Sequence, residues 1–468
     1  MVKLPRIVVA APATSQGKTT VATGLMAALR QAGHVVSGHK VGPDYIDPGY
    51  HALACGRPGR NLDPHLVGED LVAPLLLHGA LTPEPADVAV VEGVMGLFDG
   101  RVGSQGFSST AHVAALTRTP VVLVVDISRS SRSIGAVVHG MATWDPSIEV
   151  AGVILNQAGS PRHAAEVTES VGLPVLGVIP RDPGLATPSR HLGLVPAAER
   201  DEAATVVARL AEVVARTVDL DAVLAVARAA PDLDSDPWTP GSEVSRLASL
   251  APQPPAAQPE VSRLASLAPQ PPAVAVAGGR AFTFRYAETA ELLEAAGCEV
   301  VAFDPATDRS LPAGTRGLYL GGGFPEVHAA ALSDNASLRD EIRTAVLDGL
   351  PTVAECAGLL YLCRSLDGAP MAGVIDADAR MTDGLTLRYP EVTALGDSLL
   401  TRAGERVTGH EFHRTVVDPG TGDHPAWEVD GERVGFTSAS LHASYLHTHW
   451  AGHPRLARRF AAAVHAHG

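Results

Sequence analysis

The apolar run Ile7-Val8-Val9-Ala10 breaks into Ala11-Pro12-Ala13-Thr14-Ser15-Gln16-Gly17-Lys18-Thr19-Thr20 and then into the apolar-rich Val21–Leu29. A strand, a tight loop and a helix in that order constrain the fold more than any other stretch. They read as the opening unit of a wound α/β domain with a parallel sheet. Gly17, Lys18, Thr19 and Thr20 form the end of a phosphate-binding loop. In such a loop backbone N–H groups and the helix N-terminus face the anion, the lysine neutralises it, and the first hydroxyl holds Mg²⁺. Pro12 stands where the usual pattern has its first glycine, so a plain strand–helix turn stays open as the alternative.

Strand and helix patterns continue to about residue 195. Strands are expected at Ile7–Ala10, Val35–Lys40, Val88–Glu92, Val121–Asp126, Val150–Asn156 and Val175–Ile179, with helical patterns after Lys18, Ile134 and His163. Several strands are unbroken apolar runs, as in a parallel sheet covered on both faces. Ligands on such sheets bind beyond the carboxyl ends of the strands, so the loops after Ala10, Lys40, Glu92 and Asp126 are expected to meet. An Ala-rich helical segment over Glu199–Ala229 closes this part. Then Glu243–Ala256, EVSRLASLAPQPPA, is repeated letter for letter at Glu260–Ala273. A Pro/Ala-rich duplication has little to bury and reads as a linker.

A second α/β unit begins at Val274. Its expected strands are Val274–Ala277, Val300–Phe303, Gly317–Leu320 and Thr352–Ala354, with helices at Ala287–Ala296, Leu338–Leu347 and Gly358–Ser365. Shorter strands fit around Val392, Val407–Glu411 and Val434–Thr437. The expected domains are residues 1–232, a linker over 233–273, and residues 274–468. A chain of 468 residues is too long for one ordinary core, in keeping with that division.

The formal charge of −15 argues against nucleic acid or an anionic membrane as main partner, since both are polyanions. No apolar run exceeds strand length, and Met1–Pro5 runs directly into the first strand without a signal pattern. Cys55, Cys298, Cys356 and Cys363 have neither metal nor disulfide spacing. A cytoplasmic, reduced protein is expected, and a homodimer is one expected state.

After the second strand, Lys40-Val41-Gly42-Pro43-Asp44-Tyr45-Ile46-Asp47-Pro48-Gly49-Tyr50-His51 places a lysine and two carboxylates on one loop beside the phosphate site. Read from the residues alone, it is an anion and metal loop or a solvated acidic turn. With Gly59-Arg60-Asn61-Leu62-Asp63-Pro64 it resembles the a,c-diamide synthases of corrin biosynthesis, a P-loop family related to dethiobiotin synthetase. The segment Glu92-Gly93-Val94-Met95-Gly96-Leu97-Phe98-Asp99-Gly100 extends the resemblance. Glu92 ends a buried strand where an acid completes Mg²⁺ coordination with Thr19 and Asp47. The resemblance gives Asp44, Asp47, Glu92 and Asp99 binding or catalytic roles and assigns Lys18 and Lys40 to phosphate. Asp126 and Asn156 are weaker candidates, Asn156 as a reader of the base edge.

In the second half, Pro351–Leu360 reads as a strand, a sharp turn at Cys356 and a helix, a placement that exposes a nucleophile and lowers its thiol pKa. Cys363, within the same expected helix, reads as inert packing. Gly322 and Gly323, in the turn Gly321–Glu326, offer N–H groups that complete an oxyanion hole with Ala357. Ser444–Trp450 supplies a base. Together these are similar to class I glutamine amidotransferase domains of the cobyrinic acid synthase type, which implies Cys356 as nucleophile and His447 as base. The frequent acid two residues after the base is here His449, so a Cys-His pair oriented by another group is expected. Gly409–His413 also resembles this subfamily and has no assigned role; His410 and His413 alone are too few for zinc.

The resemblance implies two successive amidations of hydrogenobyrinic or cobyrinic acid, with ATP and L-glutamine as co-substrates and Mg²⁺ as cofactor. ATP turns a carboxylate into an acyl phosphate that ammonia attacks, and the ammonia needs a shielded route. Hydrogenobyrinic acid is the preferred acceptor. Two rivals stand beside this reading: a cobyric acid synthase-like enzyme amidating other side chains, and a partition-type P-loop switch. The switch carries a signature lysine where this chain has Ala13, and it needs neither Cys356 nor His447.

Overall fold

The computed structural model describes residues 1–182, 189–190, 193–241 and 271–467. Two compact units result, Met1–Trp238 and Thr239–Gly468. The duplicated stretch lies outside the described residues except for Pro271, Pro272 and Ala273.

The first unit runs β1 (Arg6–Ala10), α1 (Lys18–Gln31), β2 (Val36–Val41), α2 (Asp47–Cys55), β3 (Arg60–Leu62), α3 (Pro64–Val67), α4 (Glu69–Leu81), β4 (Val88–Glu92), α5 (Thr110–Leu116), β5 (Val121–Asp126), α6 (Ser133–Thr143), β6 (Val150–Ala158), α7 (Pro161–Ser170) and β7 (Val175–Pro180). A two-residue pair, β8 (Ser189–Arg190) and β9 (Gly193–Leu194), precedes α8 (Ala203–Thr217) and α9 (Leu220–Arg228). Seven strands form one parallel sheet in the order β3-β2-β4-β1-β5-β6-β7. Strands β1, β2 and β4 are buried along their whole length. Accordingly β1 and β4 are apolar without alternation apart from Arg6 and Glu92 at their ends, whereas β2 carries the buried polar residues Ser37, His39 and Lys40. The central β1 sits between β4 and β5, so the loop after it lies at the middle of the sheet's carboxyl edge.

The Ala-rich closure is two helices rather than one. Val218 leaves the helix to bridge Gly177 at the edge strand, and the Asp219 side chain then caps α9 through the N–H of Ala222. Helix α8 packs on α1 where Gly24 lets it approach: a Cβ there would stand 2.6 Å from Val214.

Arg6 is fully buried at the start of β1. Its guanidinium donates to the carbonyls of Leu4 (2.8 Å), Thr117 (2.9 and 3.0 Å), Arg118 (3.2 Å) and Pro231 (2.6 Å), and to Thr119 Oγ1 (3.2 Å). It ties β1 to the turn before β5 and to the segment after α9.

The second unit opens with β10 (Ala273–Ala277), α10 (Ala287–Ala295), β11 (Glu299–Phe303), β12 (Thr315–Leu320), α11 (Ala329–Asp334), α12 (Ala336–Leu347), β13 (Thr352–Glu355) and α13 (Ala357–Leu362). Ten further strands follow, ending in β22 (Phe436–Thr437) and β23 (Leu441–Ser444), before α14 (Pro454–Ala466). The main sheet has the order β11-β10-β12-β13-β23-β22, parallel except at the β22 edge. Among the other strands are β16 (Asp378–Arg388), β18 (Arg406–Thr408), β19 (Glu411–Asp418) and β21 (Glu432–Val434). Both units are α/β, as the periodicity requires.

Three expected elements are cut short. The helix expected to reach Ser365 ends at Leu362, because Arg364 N–H and the Cys363 carbonyl are captured by Ala377 and Gly373. Cys363 therefore follows the helix; it is buried, with Sγ bonded to Leu359 O at 3.3 Å. The strand expected over Val407–Glu411 divides into β18 and β19, because His410 pairs with His447 instead of continuing the ladder. The strand expected over Val434–Thr437 divides at Gly435, whose N–H and carbonyl turn to Gly420 and Thr421.

Replacing Arg6 by Ala leaves several carbonyls without donors inside the protein. The substitution is expected to lower the stability of the first unit by about 3 kcal/mol, read as an earlier first transition in urea unfolding.

Candidate active sites

In the first unit the turn from β1 into α1 is tight. Ser15 and Gly17 have positive φ, 62° and 93°, and a Cβ on Gly17 would stand 2.2 Å from Asn156 Nδ2. Only glycine fits there. Asn156 donates from Nδ2 to Gln16 O at 2.9 Å, and Gln16 Oε1 accepts from the N–H of Asp126 at 2.8 Å. Asn156 is thus a buried brace of the loop.

Thr19, Lys40, Asp47 and Glu92 come together from α1, β2, α2 and β4. Thr19 Oγ1 lies 2.6 Å from Glu92 Oε1 and 3.3 Å from Asp47 Oδ2. Lys40 Nζ donates to Asp47 Oδ2 (2.7 Å), Glu92 Oε1 (2.9 Å) and Gly93 O (3.0 Å), which uses all three ammonium protons. The structure therefore turns Lys40 onto carboxylates, away from its expected phosphate contact. His51 Nε2 completes Glu92 at 2.7 Å from Oε2. Burial opposes ionisation of Glu92, but Lys40 and the bonds from His51 and Thr19 outweigh it and hold the carboxyl below its usual range. Asp47 goes the other way. Burial and the facing Asp44 and Glu92 raise it well above, despite Lys40.

Lys18 Nζ donates to Ala13 O (3.1 Å) and to Met95 O, so the loop after β4 touches the loop after β1. Burial, then the neighbouring Lys40, push its pKa down to about 8. Asp44 and Asp99 lie at the rim with one oxygen each in their own turns. Asp44 Oδ1 accepts from the N–H of Ile46 and Asp47, and Asp99 Oδ2 from that of Gly96. Thr20 follows Thr19 on the first turn of α1.

The oxygens of Thr19, Asp47 and Glu92 form a hard donor set. Among the described residues no cluster of three or more His, Cys, Asp or Glu side chains could hold a metal by itself. The two carboxylates and the hydroxyl are of the chemistry Mg²⁺ takes, a cation that uses one or two carboxylates and fills the rest of its shell with substrate phosphates and water.

In the second unit Cys356 follows β13 at φ 49° and ψ −98°, a strained turn that sets it at the N-terminus of α13. Its N–H donates to Ser444 O at 2.9 Å, which links the turn to β23 and the segment carrying His447. The His447 ring rests against Gly322, where a Cβ would stand 2.3 Å from Cε1. It also stacks on His410, ring centroids 4.8 Å apart and 9° between planes.

Two expectations change here. The thiol of Cys356 is raised, not lowered: burial dominates, Glu326 adds to it, and the N–H of Ala357 opposes it only in part. The six-residue α13 cannot outweigh burial. His447 is pushed down to about 3 by burial and His413. The resting pair is therefore a neutral thiol and a neutral imidazole. Secondly, Gly322 N–H is spent on Phe284 O (3.1 Å) in an isolated bridge. Gly323 and Ala357 are the expected oxyanion donors without a backbone acceptor among the described residues.

His449 lies with Nε2 3.6 Å from Glu288 Oε2 and its ring over Tyr286 at 4.2 Å. His410 Nε2 meets Tyr286 OH at 3.1 Å, and His413 stacks on Tyr445 at 3.8 Å with Nδ1 2.9 Å from Thr415 O. The two histidines thus serve different partners. His51 and Glu355 went unassigned in the sequence. His51 sits four residues after Asp47 on one helix face, and Glu355 is a lone charge ending an apolar strand; both signals were present.

Residues 7–195 match the CobQ/CobB/MinD/ParA nucleotide binding domain, and residues 273–455 match the CobB/CobQ-like glutamine amidotransferase domain. The chain is 60% identical to the hydrogenobyrinate a,c-diamide synthase of Thermobifida fusca, over 98% of this chain and 97% of that one. It is 55% identical to the protein of the same name from Streptomyces coelicolor, with the same coverage. A cobyrinate a,c-diamide synthase from a Synechococcus strain is 39% identical over 97% of each chain.

Lys18 carries its charge below about pH 8 and loses it above. Affinity for ATP is expected to fall as pH rises from 7 to 9, measured by titration calorimetry in buffers of matched ionic strength.

Proposed function

The chain belongs to the family of hydrogenobyrinate and cobyrinate a,c-diamide synthases, and on that premise we propose that it amidates the a and c side-chain carboxylates of hydrogenobyrinic acid in cobalamin biosynthesis. ATP and glutamine are the co-substrates. One observation carries the reading: a phosphate loop with converging Thr19, Asp47 and Glu92 and a cysteine on a strained strand–helix turn occur in one chain that matches these relatives end to end. The metal-free acceptor is favoured because the relatives named for it are 50–60% identical, whereas those named for the cobalt-containing acid are 38–39% identical.

In the first unit an oxygen of the corrin carboxylate attacks the γ-phosphorus of ATP as the bond to ADP breaks. Ammonia then attacks the acyl carbon and phosphate leaves with the carboxylate oxygen. Lys18 trades its two carbonyl partners for phosphate oxygens. Lys40 keeps Asp47 and Glu92 side by side, His51 holds Glu92 ionised, and Asp44 and Asp99 shape the rims. Thr19, Asp47 and Glu92 would hold Mg²⁺, which when bound offsets phosphate charge.

In the second unit Cys356 Sγ attacks the glutamine side-chain carbonyl while its proton passes to His447. His447 returns that proton to the departing ammonia, then activates the water that hydrolyses the thioester. Because both groups rest neutral, proton transfer accompanies attack. Gly323 and Ala357 N–H groups receive the oxyanion.

The test is mass spectrometry of protein incubated with ATP, Mg²⁺ and glutamine, with hydrogenobyrinic and cobyrinic acids in separate tubes. Two successive carboxylate-to-amide changes on hydrogenobyrinic acid are expected. In Cys356→Ala glutamine no longer supports the reaction while ammonium salts still do. Glutamine hydrolysis without amidation of either acid refutes the acceptor, and undiminished glutamine use in Cys356→Ala refutes the nucleophile.

A further inference from the structure

Class I amidotransferases orient their histidine with a carboxylate, and the usual place for it here is occupied by His449, which faces Glu288. A different carboxylate stands beside His447. We propose that Glu355, the residue immediately before the nucleophile, is the positioning residue for His447, pinning the backbone that carries the imidazole and facing its Nδ1 with a negative charge. This rests on the assignment of Cys356 and His447 above.

Glu355 is the last residue of β13 and is 4% exposed. One oxygen, Oε1, accepts from Thr448 Oγ1 at 2.8 Å and from Thr448 N–H at 3.3 Å. The other, Oε2, accepts from Tyr319 OH at 2.9 Å and lies 4.0 Å from His447 Nδ1. Thr448 Oγ1 also accepts from Trp450 Nε1 at 3.1 Å, so the peg that Glu355 holds is itself fixed. His447 is bounded on its other sides. It exchanges main-chain hydrogen bonds with His410 (2.9 and 3.1 Å), stacks on the His410 ring, and rests on Gly322. Little freedom is left to the ring, and the edge carrying Nδ1 is the one Glu355 addresses.

The sequence neighbours can divide the work because the chain turns between them. Glu355 is still in the ladder, opposite Ser444, and its side chain reaches Tyr319 and Thr448. Cys356 has left the ladder at φ 49° and stands at the start of α13. One strand end therefore delivers both the nucleophile and the group that orients its base. An anion near Nδ1 favours the tautomer with the proton on Nδ1, leaves Nε2 as acceptor, and stabilises the imidazolium that forms during attack.

The groups facing Glu355 are Tyr319 from β12, Thr448 and His447 from the segment after β23, and Cys356 beside it. Those facing His447 are His410, His413 and Glu411, and Glu411 is bound by Arg388 at 2.7 Å. Burial raises the Glu355 carboxyl to about 7, against the bonds from Thr448 and Tyr319. The anionic form is therefore lost as pH falls through 7.

Glu355→Gln keeps the size and an acceptor for Thr448 but removes the charge. Its glutaminase kcat is expected to fall about 100-fold with KM for glutamine within about threefold, the low end of what a positioned general acid–base contributes. The wild-type profile of kcat/KM should bend downward below about pH 7, and this bend should vanish in Glu355→Gln. A circular dichroism spectrum and a thermal unfolding transition matching wild type report whether the variant is folded. Tyr319→Phe gives an independent reading. Loss of a donor to the anion should move the bend to higher pH, with the alkaline plateau within about threefold of wild type. Wild-type kcat in Glu355→Gln, or an unmoved bend in either variant, overturns the proposal. Full glutaminase activity in Cys356→Ala instead overturns the nucleophile assignment on which it rests.

Discussion

The Lys40 ammonium is buried among Asp47, Glu92 and the Gly93 carbonyl, and the synthetase site depends on that contact. Without a cation between them, two carboxylates in so dry a place would repel and swell apart or take up protons. With it, Glu92 stays ionised at the end of β4, Thr19 is drawn to it, and α1 begins with its hydroxyl aimed at the same point. The first turn of α2 is held by the same ammonium through Asp47. A buried ion pair of this kind adds little net stability; what it secures is the convergence of four elements on one locus.

The amidotransferase unit solves a related problem without a permanent charge. Cys356 and His447 are both buried, and burial favours the neutral form of each. A resting thiolate–imidazolium pair would be costly in that setting, and burial keeps both groups neutral at rest. The strained turn at Cys356, the His410 stack and the bridge between His410 and His447 hold the geometry ready. The Gly409–His413 segment, which has no readable role in the sequence, acquires a structural one: His410 stacks on the His447 ring and bridges its backbone.

Much of the fold is legible from pattern. The expected bounds of strands such as Val88–Glu92 and Val121–Asp126 coincide with the observed ones, because an unbroken apolar run flanked by polar loops has few other outcomes. Elements that failed did so where a distant partner captured the backbone. Ala377 and Gly373 end the helix after Cys356, His447 interrupts the strand before Glu411, and Gly177 divides the closing helices. Single-segment periodicity carries no information about such partners.

The site divides along the same line. The turn that carries Gly17, Lys18 and Thr19 and the strand–turn–helix around Cys356 are legible in the sequence, because local turn geometry is set by neighbouring residues. The tertiary structure decided everything that depends on who faces whom. Lys40 meets carboxylates in place of phosphate, Asn156 braces a loop, and Gly322 gives its N–H to Phe284. Burial raises the thiol that a helix N-terminus alone would lower. Desolvation and partner choice are properties of the packed environment, summed over residues far apart in the chain, and no local stretch of sequence encodes them.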